Sequence, residues 1–153
     1  MLVVSGCKPS TQAPEEAAVS VSAPSAPTAS GKTVLELAAA DPKVRTQVGV
    51  KEAGALVSTG KAGVLAFGPY QPLPAGRYLV SLQGSASKPF SLDVVSNIGK
   101  QVHGRKQFAA QESADTLASL SFDLAAPVQN LEVRILIPEG SDAKVVGYKI
   151  VTR

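Results

Sequence analysis

Apolar and polar residues alternate with a period of two along much of the second half of the chain. The clearest run lies between Leu131 and Ile137, where every second residue is Leu, Val or Ile. Alternation of this kind is typical of a β-strand that buries one of its faces. We therefore expect Leu131, Val133, Ile135 and Ile137 to face the interior, with the residues between them on the outward face.

The same period occurs in four other runs, at residues 78–82, 90–94, 118–124 and 144–151. In the first of these runs, Tyr78 is expected to lie in the core and to need a hydrogen-bond partner for its hydroxyl group. In the last run, the alternation places Val146, Tyr148 and Ile150 on one face. Together the runs predict five strands.

Clusters of turn-forming residues separate these runs, at 74–76, 84–89, 97–99, 125–127 and 138–140. Such clusters mark the turns between short strands. Four earlier strands are less clear, namely Thr33–Leu37, Arg45–Val50, Gly54–Ser58 and Val64–Phe67. Only Glu112–Ala118 and Leu37–Val44 permit a helical turn. The pattern predicts an all-β fold, an antiparallel two-sheet sandwich of jelly-roll or galactose-binding-like type.

The first seven residues resemble the end of a lipoprotein signal peptide. Val4-Ser5-Gly6-Cys7 matches the lipobox of that class, in which an apolar residue and two small residues precede the lipid-bearing cysteine. The resemblance implies an acylated Cys7, and several acyl chains anchor a protein more firmly than one. Only six residues precede Cys7, fewer than a signal peptide needs. We therefore expect a start codon assigned too late or a fragmentary gene, with a chance cysteine as the alternative.

The next segment, Lys8 to Lys32, is rich in Pro, Ala, Ser and Thr and has few bulky apolar residues. Such a segment cannot bury enough apolar surface to offset the entropy of ordering it. Residues 8–32 are therefore expected to form a disordered tether, and residues 33–153 the folded domain. Lys8 is not the Asp that marks inner-membrane retention in enteric bacteria. This favours the outer membrane of the cell envelope, with the domain on its periplasmic or its surface face.

The composition argues against several classes of function. The 15 basic and 12 acidic residues give a net charge of +3, and the basic residues are scattered, whereas nucleic-acid-binding proteins usually concentrate them on one face. Nucleic acid is therefore not an expected partner. With one cysteine and one histidine, neither an intramolecular disulfide nor a zinc site is expected. No metal or other cofactor is predicted.

Residues 68–78 contain a sequence motif in addition to the alternation of apolar and polar residues. Gly68-Pro69-Tyr70 is followed by Leu73-Pro74-Ala75-Gly76-Arg77-Tyr78. This resembles the "GPY, then L-P-x-G-x-Y" pattern of small β-sandwich modules found beside bacterial glycosyltransferases and in other surface-polysaccharide proteins, and the likeness covers most of residues 60–153. It implies a carbohydrate-binding-like sandwich. Tyr70 and Gln71 are the candidate ligand-binding residues, because Tyr70 is expected in a loop, where an exposed aromatic ring can stack on a sugar.

A second candidate pair, His103 and Arg105, lies in a polar segment, Lys100 to Lys106. This segment is either a cationic loop that meets an acidic glycan or lipopolysaccharide phosphate, or an edge strand whose charges prevent pairing with a neighbouring molecule. His103 is not expected to be a catalytic base, because the chain has no G-x-S-x-G elbow or other nucleophile motif.

The acidic residues form no evident catalytic or metal-binding motif. Asp93, Asp123 and Glu132 alternate with core residues and are expected at outward strand positions. Replacing Glu132 or the neighbouring Arg134 by Ala should therefore change stability by about 0.5 kcal/mol or less, as is usual at a surface. No calcium-binding loop is present, and a glycosidase would need two acids brought together by the fold. An enzyme is not expected.

Two hypotheses for the function remain. The first is a lipid-anchored, non-catalytic module that binds envelope or surface polysaccharide through its sandwich. The second is a structural or interaction lipoprotein that docks to a protein partner in an envelope assembly. An exposed Tyr70 beside polar side chains in a concave face favours the first hypothesis, and a flat apolar patch without a groove favours the second.

Overall fold

The computed structural model describes residues 31–153, which fold entirely into β-strands and connecting turns. The strands are β1 (Thr33–Ala38), β2 (Gly49–Glu52), β3 (Ala55–Ser58), β4 (Gly63–Leu73), β5 (Gly76–Ala86), β6 (Phe90–Ser96), β7 (Gln101–Phe108), β8 (Gln111–Leu124), β9 (Val128–Ile137) and β10 (Ala143–Thr152). Within this part of the chain, no helix is long and apolar enough to cross a membrane.

The strands form two antiparallel sheets. The six-stranded sheet has the order β2-β3-β10-β5-β8, and β1 also pairs with β10. The four-stranded sheet has the order β4-β9-β6-β7. Apolar side chains from both sheets meet in one core, so the prediction of an all-β, two-sheet antiparallel sandwich is confirmed.

The strand with the clearest alternation has the predicted orientation. Leu131, Val133, Ile135 and Ile137 are all buried in the core. Tyr78 is buried as well, and its hydroxyl group donates a hydrogen bond of 2.8 Å to the carbonyl oxygen of Pro74. Its ring stacks on Phe122, with 5.4 Å between the ring centroids. The expected partner for the Tyr78 hydroxyl is thus supplied by the turn that precedes its own strand.

Strand β10 departs from the predicted alternation because its pairing with β5 shifts register between Val145 and Gly147. This irregularity turns Val145 into the core and leaves Val146 exposed on the outward face. The prediction that Val146 shares a face with Tyr148 and Ile150 was therefore wrong. A β-bulge reverses the facing of the residues before it, and a simple period of two cannot reveal the bulge.

Two further predictions at the level of single elements were wrong. Glu112–Ala118 lies within strand β8, not in a helical turn, because β8 pairs along β5. Tyr70 lies within strand β4 and not in a loop. It falls at a register shift between Pro69 and Gln71, where β4 pairs with β9.

Candidate functional site

A groove of about 570 Å³ crosses the outward face of the six-stranded sheet. Its floor follows directly from strand pairing, because Glu36, Lys149, Ser81 and Ser119 are successive partners across β1, β10, β5 and β8. Residues directly opposite one another on neighbouring strands point to the same face. The two serines are small, so the row is lower on its β5 and β8 side than at Glu36 and Lys149.

A second row deepens the groove. Ala38, Gly147 and Gln83 are successive partners across β1, β10 and β5. A Cβ atom on Gly147 would lie 2.7 Å from the carbonyl oxygen of Leu37, so only glycine permits β1 to approach β10 this closely. Val146, which the bulge turns outward, lines the groove beside this row.

The groove offers many hydrogen-bonding groups around a small apolar surface. Glu36 and Asp115 supply acceptors, Lys149 supplies donors, and Gln83 and Thr116 supply both. Leu79 and Val146 add apolar surface at the floor and wall. Convergent polar groups around an apolar surface are typical of small-molecule binding sites, and the volume lies within their usual range. The charged side chains of the groove are those of Glu36, Asp115 and Lys149, which together give it a net charge of −1.

Tyr148 borders the groove without presenting its ring to it. The side chain is buried, and its hydroxyl group donates a hydrogen bond of 3.2 Å to the carbonyl oxygen of Gly68 in the other sheet. Burial raises the pKa of this hydroxyl above its ordinary value, with a smaller contribution from Asp41. Tyr148 therefore joins the two sheets, and any ligand in the groove would pack on aliphatic side chains instead of an aromatic ring.

The outward face of the four-stranded sheet has a different character, and we call it the arginine face. Its central row consists of successive backbone partners, from Arg45 at one edge through Phe67, Arg134 and Asp93 to Arg105 at the other. Arg105 binds Asp93 with two hydrogen bonds of 2.9 Å, from Nε to Oδ1 and from Nη2 to Oδ2. Arg134 Nη2 donates a third bond of 2.9 Å to Oδ2.

The acidic residues of the arginine face are buried although they point away from the core. Asp93 is 1% exposed and Glu132 is 6% exposed. The turn after β6 lies against Arg134, since the position of a Cβ on Gly99 is 3.2 Å from the Nη1 atom of Arg134. The expectation that Asp93 and Glu132 are ordinary outward positions was therefore wrong as regards exposure. Asp123, on the other sheet, is exposed as expected.

Tyr70 and Gln71 lie at one edge of the arginine face. Tyr70 is 39% exposed and has a positive φ of 63°, and Gln71 is half-buried. Burial raises the pKa of Tyr70, and the charge of Glu132 raises it further. Burial likewise raises the pKa of Glu132, against the opposing effects of Arg134 and the Tyr70 hydroxyl. Tyr70 is thus a partly exposed aromatic ring beside the carboxyl group of Glu132.

His103 and Arg105 lie at the opposite edge, on β7. The expectation of a charged edge strand agrees with this position. The His103 Nε2 atom lies 2.7 Å from the hydroxyl oxygen of Ser96, and burial lowers the pKa of the imidazole. Three strand spacings, about 14 Å, separate β7 from β4. The two predicted pairs therefore lie at opposite edges of the four-stranded sheet and do not contact each other.

The groove was missed by sequence reasoning because it depends on register. Its polar residues come from four separate strands, and no local motif connects them. One signal was available: Ser81, Gln83 and Ser119 occupy outward positions on strands that are otherwise strongly apolar. Among residues 31–153, no cluster of His, Cys, Asp and Glu could hold a metal ion. Cys7 and residues 8–30 of the predicted tether lie outside the described residues. Lys32, the last residue assigned to the tether, is described, and its backbone N–H donates a hydrogen bond of 2.9 Å to the Thr152 hydroxyl group.

Comparison with known proteins relates the fold to carbohydrate-binding modules. No family model and no curated protein sequence matches the chain. A solved structure of a carbohydrate-binding module (CBM6cm-2) from Cellvibrio mixtus lichenase 5A, in complex with cellotriose, matches 80% of this chain and 99% of its own, with 14% identity and a TM-score of 0.53. The C-terminal CBM6 of LamC from Zobellia galactanivorans matches 79% of this chain and 100% of its own, with 13% identity and a TM-score of 0.53.

A third solved structure is the glycosylation-associated protein (Gap123) complex from Streptococcus agalactiae. It matches 80% of this chain with 14% identity and a TM-score of 0.54, and the match spans 26% of that longer chain. At such low identity, these likenesses concern the fold. Residues 31–153 therefore form a β-sandwich of the kind seen in carbohydrate-binding modules.

Proposed function

We propose that this protein is a non-catalytic lipoprotein of the bacterial cell envelope whose β-sandwich binds carbohydrate in the groove of the six-stranded sheet. The groove is the observation that carries the proposal. It has a volume of about 570 Å³, and hydroxyl, amide, carboxylate and ammonium groups converge on it. A sugar needs this mixture, because each of its hydroxyl groups both donates and accepts hydrogen bonds.

The fold supports the same proposal. A module with this architecture has been seen in complex with cellotriose, so the sandwich is a scaffold on which a glycan site can be built. Function does not follow from fold alone, and the groove supplies the independent argument. Because the groove carries a net negative charge, we expect it to take neutral glycans in preference to acidic ones.

A glycan array with the full-length protein tests the proposal. Binding to at least one neutral oligosaccharide supports it, and an array without neutral hits contradicts it. Ser81→Leu places a bulky side chain on the groove floor and should weaken glycan binding by about tenfold or more. The reason is that one lost hydrogen bond and a steric clash together cost more than about 1.4 kcal/mol of binding free energy. Ser91→Leu makes the same change on the four-stranded sheet and should leave the affinity unchanged.

The membrane anchor is a separate part of the proposal and rests on Cys7. Expressed with its complete upstream region, the protein should incorporate labelled fatty acid and fractionate with the membrane, with the outer membrane expected from Lys8. Cys7→Ala should abolish the labelling. Equal labelling of the variant would remove the lipoprotein assignment and leave glycan binding untouched.

A protein-docking role is the second candidate, and one observation favours it. Ile98 is 79% exposed at the tip of the β6–β7 turn, and Val102, at the start of β7, is also exposed. Neither residue lines the groove. If Ile98→Ser released the protein from an envelope complex while glycan binding remained intact, the β6–β7 turn would serve a protein partner.

A further inference from the structure

The arginine face has a charge balance opposite to that of the groove. Three arginines, Arg45, Arg105 and Arg134, accompany two carboxyl groups, Asp93 and Glu132. With every group ionised, the net charge of this face is +1. Burial raises the pKa of Glu132, which further favours the cationic state of the face. The arginine face and the groove therefore carry net charges of opposite sign.

The guanidinium groups of Arg105 and Arg134 are held in place. Asp93 is almost fully buried and accepts three hydrogen bonds of 2.9 Å from Arg105 and Arg134. The Arg134 Nε atom is also buried and has no hydrogen-bond partner. A guanidinium that is fixed by one carboxylate loses less entropy when it binds a second oxyanion.

Accessible donors remain at both edges of the face. The Arg105 side chain is 59% exposed, and within residues 31–153 its Nη1 atom makes no hydrogen bond. Arg45 is exposed at the opposite edge and forms no ion pair within that same range. Tyr70, on the same edge as Arg45, adds an aromatic ring that is 39% exposed.

The distance between the edges defines the kind of ligand. Arg45 and Arg105 are separated by four strand spacings, which is about 19 Å. One carboxylate or sulfate group is too small to contact both arginines. A chain that carries several such groups can contact both, and the second contact is then favoured by effective concentration.

We propose that the arginine face is a second binding site, distinct from the groove, for the oxyanions of an acidic glycan. Its ligand carries carboxylate or sulfate groups along an oligosaccharide chain. Arg45 and Arg105 bind separate oxyanions, and Asp93 positions Arg105 and Arg134. Tyr70 stacks on a sugar ring between charges. The site does not depend on carbohydrate binding in the groove.

Calorimetric titration of the full-length protein tests this site with four probes: an oligogalacturonate, its methyl ester, a sulfated dextran oligomer and inorganic sulfate. The acidic oligomers should bind about tenfold or more tightly than either the ester or inorganic sulfate. The comparison of oligogalacturonate with sulfated dextran identifies the preferred oxyanion. Equal binding of the ester, or binding of inorganic sulfate as tight as that of the oligomers, would overturn the proposal.

Matched arginine variants separate a defined site from general attraction of anions to a basic protein. Arg45→Gln should weaken oligomer binding about three- to fivefold, as loss of one exposed ion pair does. Arg105→Gln should weaken it further, because Arg105 also belongs to the Asp93 cluster. Arg77→Gln removes an exposed arginine from the six-stranded sheet and should have no effect. Equal losses in the Arg45 and Arg77 variants would show non-specific attraction and overturn the proposal.

Two further measurements distinguish binding at this site from the effects of unfolding and from binding in the groove. Arg45 has no ion-pair partner within the described range, so its variant remains informative even if Arg105→Gln does not fold. Ser81→Leu should retain oligogalacturonate binding at its full affinity, whereas loss of binding would place the acidic glycan in the groove. Binding to phosphatidylglycerol vesicles but to neither acidic oligomer would assign the face to a membrane surface instead.

Discussion

The outward faces of the two sheets differ in what their polar side chains contact. On the six-stranded sheet, Glu36, Gln83 and Lys149 surround an open groove, and none forms a side-chain ion pair among residues 31–153. On the four-stranded sheet, Asp93 and its two arginines contact one another and are partly or wholly buried. An outward position on a strand is therefore not necessarily an exposed one.

The difference has a structural cause. The groove exists because Ala38, Ser81, Ser119 and Gly147 are small residues on the outward face of the six-stranded sheet, where larger side chains would fill it. The central row of the arginine face contains three long arginine side chains, and the turn through Gly99 lies against Arg134. Long side chains cover their neighbours with their aliphatic stems. The same strand geometry thus produces an open polar surface on one sheet and a closed ionic cluster on the other.

The largest expected effect comes from removing the shared carboxylate of the arginine face. Asp93→Ala removes three hydrogen bonds from two arginines and should lower the free energy of unfolding by about 2–3 kcal/mol. The loss is smaller than for a fully buried pair, because the Arg105 side chain is 59% exposed and is solvated when its partner is removed. The matched change Asp123→Ala, at an exposed position of the six-stranded sheet, should cost about 0.5 kcal/mol or less. Urea denaturation of both variants measures the difference. Equal stabilities would mean that the Asp93 cluster is not buried.

An intermediate effect is expected at the bulge in β10. Val145 lies in the core and Val146 lines the groove. Val145→Asp buries a carboxyl group without a partner, so the free energy of unfolding should fall by several kcal/mol, or the carboxyl group should take up a proton. Val145→Ala should lower the free energy of unfolding by about 1–2 kcal/mol. Val146→Ala should change stability by about 0.5 kcal/mol or less and weaken glycan binding instead. Thermal melts of the two alanine variants decide the matter, and a reversed order would place the bulge elsewhere.

The smallest expected effect concerns the pH dependence contributed by Glu132. Because burial raises its pKa, the folded protein holds this proton more tightly than the unfolded chain does. The resulting stabilisation is complete below the ordinary pKa of Glu and is lost as the pH rises through the raised value. As the pH rises from about 4 to about 7, the wild type should therefore lose stability relative to Glu132→Gln. The change in the difference between their free energies of unfolding should be about 1 kcal/mol or less. A constant difference between the two proteins across that range would contradict the shift.

The fold was predictable from the sequence because alternation and turn signals agree over the second half of the chain. The four residues at Leu131, Val133, Ile135 and Ile137 are buried as their spacing predicts. Tyr78 is also buried, with a partner for its hydroxyl group. Burial of this kind can be predicted locally, because the alternation within a strand indicates which of its residues face the core.

The candidate site was not predictable in the same way, because it depends on which strands become neighbours. Ser81 and Ser119 are ordinary outward serines until register places them side by side. Asp93 and Arg134 are 41 positions apart in the sequence, so their ion pair has no local signature. The expectation that Arg134→Ala is a neutral surface change is replaced by an expected loss of about 1.5–3 kcal/mol, the usual value for a hydrogen bond to a charged group.

The most direct test of the account is to locate a bound neutral glycan by NMR. The protein, labelled with ¹⁵N, is titrated with the tightest neutral oligosaccharide from the array, and the amide shifts are followed residue by residue. The account predicts that the largest shifts occur at Gln83, Val146 and Lys149, with little change at Tyr70 and Arg105. Shifts concentrated at Tyr70 and Arg105, with the groove amides unmoved, would contradict the assignment of carbohydrate binding to the six-stranded sheet.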